Sequence, residues 1–119
     1  MNKIRKHLAS YIYSMRGIRL AFRKDPNMTL HLLAAVAVVV VNVVLHVDRT
    51  DWILTLALTG LVWMAEMFNT SIEKLADRVT RQKDPLIGEV KDLASGAVLV
   101  ICVTALICAT IIYLPYLLT

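Results

Sequence analysis

A chain of 119 residues that is 58% hydrophobic, with a mean hydropathy of +0.65, is too apolar for a water-soluble domain and reads as one small integral membrane domain. Its net charge of +4 lies beside the apolar segments, where anionic lipid headgroups are the natural counter-charge, so nucleic acid is excluded as a partner. Cys102 and Cys108 sit on one apolar segment, roughly 9 Å apart along a helix, too far for a mutual disulfide, and are read as small core residues.

In chain order, Ile4, Leu8, Tyr11, Ile12, Met15, Ile18 and Phe22 recur at helical spacing with Lys and Arg opposite them. This predicts a basic amphipathic helix over residues 1–24, lying at the headgroup level. Basic residues spread from Lys3 to Lys24 without a small-residue cleavage site do not read as a secretory signal peptide. Asp25-Pro26 reads as an N-cap followed by proline at the first helical position, opening a first span over 30–47. Asp48-Arg49-Thr50-Asp51 is a tight turn, with Asp51 the expected cap of a second span over 52–68. That helix is expected to continue to about Arg81. A loop from Gln82 to Gly88 follows, then helix from near Glu89 into a third span over 93–118, where Tyr113 and Tyr116 mark a membrane interface. The fold class is all-α: three transmembrane helices behind an amphipathic surface helix, a single domain over 1–119.

Charge placement sets the orientation. Lys3, Arg5, Lys6, Arg16, Arg19, Arg23 and Lys24 precede the first span, and Lys74, Arg78, Arg81, Lys83 and Lys91 lie between the second and third. Only Arg49 lies in the link between the first two. The N-terminus and the 74–91 loop are therefore expected on the cytoplasmic side.

The feature that points to chemistry is Glu66, which ends the apolar run Trp52–Ala65. At about 100° per residue, Glu66, Glu73 and Asp77 share a sector of roughly 40°, with Asn69 about 60° to one side. Ionisable groups at that depth cost several kcal/mol and mark functional sites. Such a stripe could serve as interhelical glue, but several carboxylates and an amide also suit cation binding or proton transfer. Lys91-Asp92, at the entry of the third span, offers a cation for phosphate and a carboxylate for a nucleotide. His7, His31 and His46 are too scattered for a metal cluster, His31 being read as a polar contact within the first span. No GxxxxGK[ST] occurs, so a phosphate site here is not a P-loop. The stripe also suits a small ion-conducting oligomer using Glu66 as carrier, and the size and span count suit a holin-like pore former. The cytoplasmic gathering of charge, and the uncharged stretch from Leu93 to Thr119, count against a conduction path, which needs polar groups toward the other face as well.

The stretch EMFNTSIEKLADR, the KDLASGAVL run and the RGIRLAF segment together resemble the prokaryotic diacylglycerol kinase family, which includes undecaprenol kinases of Gram-positive type. The resemblance covers nearly the whole chain. It implies a homotrimer in the bacterial inner membrane, with active sites between neighbouring subunits, that moves the γ-phosphate of ATP to a lipid alcohol with Mg2+. It further implies Glu66 as the general base and Glu73 and Asp25 as magnesium ligands. Asn69 would organise the site, while Asp77, Lys91 and Asp92, together with Tyr13, Gln82, Lys83 and Asp84, would meet the nucleotide. Arg19 and Ser95 would lie near the lipid. The family usually carries Glu where Asp25 stands, and often Phe-Arg where this chain has Met28-Thr29. The short loop and the Ile-Tyr-Leu-Pro ending look more like the undecaprenol kinase branch than the diacylglycerol kinase branch.

Overall fold

The computed structural model describes residues 2–119, which form four helices and no strand. These are α1 (Lys3–Lys24), α2 (Asn27–Leu45), α3 (Arg49–Val79) and α4 (Pro85–Leu117). The last three are each long and apolar enough to cross a membrane.

Each helix boundary has a local cause. The Asn2 side chain accepts from the Arg5 N–H and caps α1. The chain turns at Asp25, whose Oδ1 accepts from the Asn27 N–H at 2.9 Å, while Pro26 already has helical dihedrals. α2 stops at Leu45, two residues short of the expected span end. His46 adopts a left-handed conformation (φ 53°, ψ 48°), and the N–H groups of His46 and Val47 return to the carbonyls of Val43 and Asn42. This Schellman-type closure satisfies the last carbonyls of the helix.

Two expected boundaries are corrected. The cap of α3 is Asp48, not Asp51: Asp48 Oδ1 accepts from the Asp51 N–H at 2.9 Å, so Asp51 sits within the first turn. α4 begins at Pro85 rather than near Glu89, because Asp84 Oδ1 accepts from the N–H groups of Leu86 and Ile87 and proline needs no partner at the first position. The connecting loop is correspondingly short.

Helix length then sets depth. At about 1.5 Å per residue α2 is ~28 Å long and matches a hydrocarbon core, whereas α3 and α4, at ~46 and ~50 Å, overshoot it as a helical hairpin. Measured along α3 from Asp51, Glu66 lies ~22 Å in and Glu73 ~33 Å, so a ~30 Å hydrocarbon core beginning at Asp51 would end between them. α3 packs along α4 and, over a shorter length, against α2.

The registers of these antiparallel pairs are held by polar ties. Near the turn that joins α2 to α3, the fully buried Asn42 donates from Nδ2 to Thr55 Oγ1 at 2.9 Å and accepts from the Tyr113 hydroxyl at 2.6 Å. One side chain thus joins three helices. The Tyr116 hydroxyl donates to Asp51 Oδ2 at 2.6 Å and accepts from the Asp48 N–H at 3.0 Å. Tyr113 and Tyr116 are therefore interhelical partners. Within hydrocarbon, where water cannot satisfy such groups, they must find one another.

A candidate active site at the membrane boundary

At the opposite, basic end the helices converge on Glu66, which is 3% exposed. α3 carries it inward, and its carboxylate faces α2, where His31 Nε2 stands 3.5 Å from Glu66 Oε2. One turn further along α3, the Thr70 hydroxyl donates to Asp25 Oδ2 at 3.0 Å. Asp25, itself buried, is thereby engaged on both oxygens, by Thr70 and by the Asn27 N–H. Burial pushes the Asp25 carboxyl up, but the hydrogen bonds it accepts, those from the Asn27 N–H and the Thr70 hydroxyl among them, outweigh it and hold the group below its ordinary range.

Trp63 locks the same region. Its indole N–H donates to the His31 carbonyl at 3.2 Å, and its ring meets Phe22 edge-on with centroids 5.7 Å apart. α1, α2 and α3 are thus tied at one residue, one turn from Glu66.

Beyond His31, towards the Asn42 knot, an apolar cavity of about 320 Å³ opens between α2, α3 and α4. His31 and Trp63 line it, as do Val62 and Cys102, with Thr55 and Tyr113 also in its wall. His31 is therefore shared between the carboxylate and the cavity.

The remaining expected residues divide into two groups. Asp77 and Lys91 form an ion pair between α3 and α4, both side chains partly exposed. Glu73, Asp92, Tyr13, Arg19, Ser95, Gln82 and Lys83 are exposed, and Asp84 is occupied as the cap of α4. The Arg16 guanidinium lies 5.3 Å from the Tyr13 ring centroid, a cation–π contact. Asn69, on the Glu66 helix, has a buried Oδ1 that meets no hydrogen-bond donor.

No group of three metal-ligating side chains is assembled among the described residues. The donors nearest to such a role are nonetheless all oxygens: Asp25, the exposed Glu73 and the unpartnered Asn69 Oδ1. That is the donor chemistry a hard divalent cation prefers.

Residues 12–113 match the model of the family described as prokaryotic diacylglycerol kinase. The chain belongs to the prokaryotic diacylglycerol kinase family. An undecaprenol kinase of Bacillus subtilis is 32% identical over 96% of this chain and 93% of that protein. A diacylglycerol kinase of Synechocystis is 33% identical over 94% of this chain and 65% of that protein. The diacylglycerol kinase of Escherichia coli K12 is 32% identical over 80% of this chain and 78% of that protein. As a member of this family the chain is a multi-pass membrane lipid kinase, which decides against the ion-conducting and pore-forming alternatives.

Two residues of this site, Thr70 and His31, carry no site role in the motifs read from the sequence. Thr70 stands inside the recognised motif, four residues after Glu66 and so on the same helix face, a spacing that was available as a signal. His31 is one histidine in an apolar run, and nothing in the run says which neighbour it meets.

Proposed function

We propose that this kinase moves the γ-phosphate of ATP, used with Mg2+, to the hydroxyl of a long-chain lipid alcohol, undecaprenol in the first place and diacylglycerol in the second. The products are undecaprenyl phosphate and phosphatidic acid. The observation that carries this reading is the position of Glu66, a buried carboxylate 3.5 Å from His31, which lines the apolar cavity. The match to the Bacillus undecaprenol kinase along nearly the full length of both chains supports the order of the two substrates.

The chemistry follows from placement. A lipid tail held in the apolar cavity leaves its hydroxyl near Glu66. A carboxylate withdrawn from water is a stronger base, and Glu66 takes the hydroxyl proton as the alcohol oxygen bonds to phosphorus and ADP leaves. Glu73, Asp25 and the Asn69 amide oxygen would hold magnesium, which when bound supplies charge neutralisation for the phosphate oxygens. The Asp25 carboxylate is kept ionised by its hydrogen bonds, as such a role requires. Lys91, Asp77 and Asp92, with Tyr13 and the Gln82-Lys83-Asp84 corner, are the groups for the nucleotide. Arg19 and Ser95 are the groups for the lipid head.

The whole chain, residues 1–119, acts as one membrane-embedded domain. α1 lies on the headgroup layer, and the N-terminus and the 74–91 loop are on the cytoplasmic side of the bacterial inner membrane. Assembly as a homotrimer is part of this reading, and the face of α4 that runs through Glu89, Asp92, Gly96 and Val100 carries an open groove. With Asp92 on that face, a neighbouring subunit there would complete the nucleotide site.

The test is transfer of label from γ-labelled ATP to undecaprenol, diacylglycerol, ceramide and a no-lipid control in mixed micelles containing magnesium. Label in undecaprenol above the others supports the full reading, and label in diacylglycerol alone reverses the order of substrates. No label in any alcohol, from folded protein, rejects it.

A further inference from the structure

We infer that His31 is the substrate-positioning partner of Glu66: its Nε2–H holds the oxygen of the lipid hydroxyl while Glu66 receives the proton. This deepens the lipid-kinase reading and rests on it. Three observations place His31 in this role. Its Nε2 is 3.5 Å from Glu66 Oε2, too far for a good direct hydrogen bond, yet both atoms can be met at ~2.8 Å by one oxygen seated beside the pair, at the apex of a triangle. The histidine also lines the apolar cavity, whereas Glu66 does not, so a hydroxyl on a chain lying there meets His31 on its way to Glu66. Finally, the His31 backbone carbonyl is bound by the Trp63 indole one turn from Glu66, which ties α2 to α3 at the level of the two residues.

An alcohol oxygen has one proton and two lone pairs. With its proton directed to Glu66 and one lone pair accepting from His31 Nε2–H, the second lone pair is left for phosphorus. In the transfer the O–H bond breaks and its proton passes to Glu66. The alcohol oxygen bonds to the γ-phosphorus, and the bond from that phosphorus to the β,γ-bridging oxygen breaks, with its electron pair leaving on ADP. His31 neither gains nor loses a proton over the step. Its contribution is orientation, which in near-attack geometry is a large share of rate.

Three variants test this against wild type, with undecaprenol and with diacylglycerol as acceptors: His31→Leu, His31→Gln and His31→Ala. Leucine suits an apolar helix and removes the donor, and size-exclusion in detergent reports whether assembly is retained. His31→Leu is expected to lose ~30–300-fold in kcat with the KM for ATP unchanged. His31→Gln, which keeps an N–H at similar reach, should recover to within about fivefold of wild type. Added imidazole should restore part of the activity of His31→Ala, an effect that a purely structural histidine would not produce. Leucine and glutamine variants equally impaired, or a leucine variant as active as wild type, would overturn the assignment while leaving the kinase reading intact. A wild-type protein that phosphorylates no alcohol overturns both.

Discussion

The Thr70 hydroxyl donates to Asp25 Oδ2 at 3.0 Å, joining residues 45 positions apart and tying the middle of α3 to the corner between α1 and α2. The corner would otherwise be a two-residue hinge, Asp25-Pro26, between the surface helix and the first span. With the bond in place, the carboxylate proposed to meet magnesium is oriented by the same helix that carries Glu66. Replacing Thr70 by Val, which keeps shape and removes the hydroxyl, should raise the magnesium needed for half-maximal activity by ~5–30-fold, a charge-assisted hydrogen bond being worth about 1–2 kcal/mol. A magnesium titration of the variant that superimposes on wild type would remove Asp25 orientation from the account.

Glu66→Gln keeps size and removes basicity. Phosphotransfer should fall by ~10²–10⁴-fold, the usual range for loss of a general base, while assembly in detergent is unchanged. The assay is initial rate at saturating ATP and lipid. Full activity in this variant would end the base assignment.

Glu73→Gln acts at the membrane boundary, on an exposed side chain that supports no packing. The expected effect is a weaker response to magnesium, partly recovered by excess metal, with the lipid KM unchanged. An unaltered magnesium dependence would exclude Glu73 as a ligand.

Lys91 pairs with Asp77 where both side chains are 38–40% exposed. Pairs so open to water contribute little to stability. Lys91→Met should therefore leave the thermal midpoint in detergent nearly unchanged while raising the KM for ATP by ~10-fold, one charge-assisted contact being lost. A large drop in stability with ATP use intact would assign the pair to packing instead.

Asn42→Leu tests the knot at the far end. The substitution removes the donor to Thr55 and the acceptor of the Tyr113 hydroxyl. It should destabilise the three-helix unit by about 1–2 kcal/mol, because the Tyr113 hydroxyl is left without its partner in an apolar setting. Unfolding by denaturing detergent, followed by tryptophan emission, reads this out. No loss of stability would show that the hydroxyl finds another acceptor.

Much of this protein is written in short-range pattern. Apolar run lengths and the Asp-Pro step at 25–26 are local signals, and helices follow them because backbone groups in hydrocarbon have no partner but their own helix. The stripe of Glu66, Asn69, Glu73 and Asp77 is likewise visible in sequence, since helical periodicity alone puts those residues on one side. Cap assignment was less legible: Asp48 and Asp51 are both good caps in composition, and only the direction of the chain entering α3 selects Asp48. What tertiary structure alone decided is which distant residues meet. Asp25 with Thr70, His31 with Glu66, and Asn42 with Thr55 and Tyr113 depend on how far one helix slides along another. That sliding is set by side chains packing across helices, a quantity summed over many contacts that no local spacing in the chain encodes.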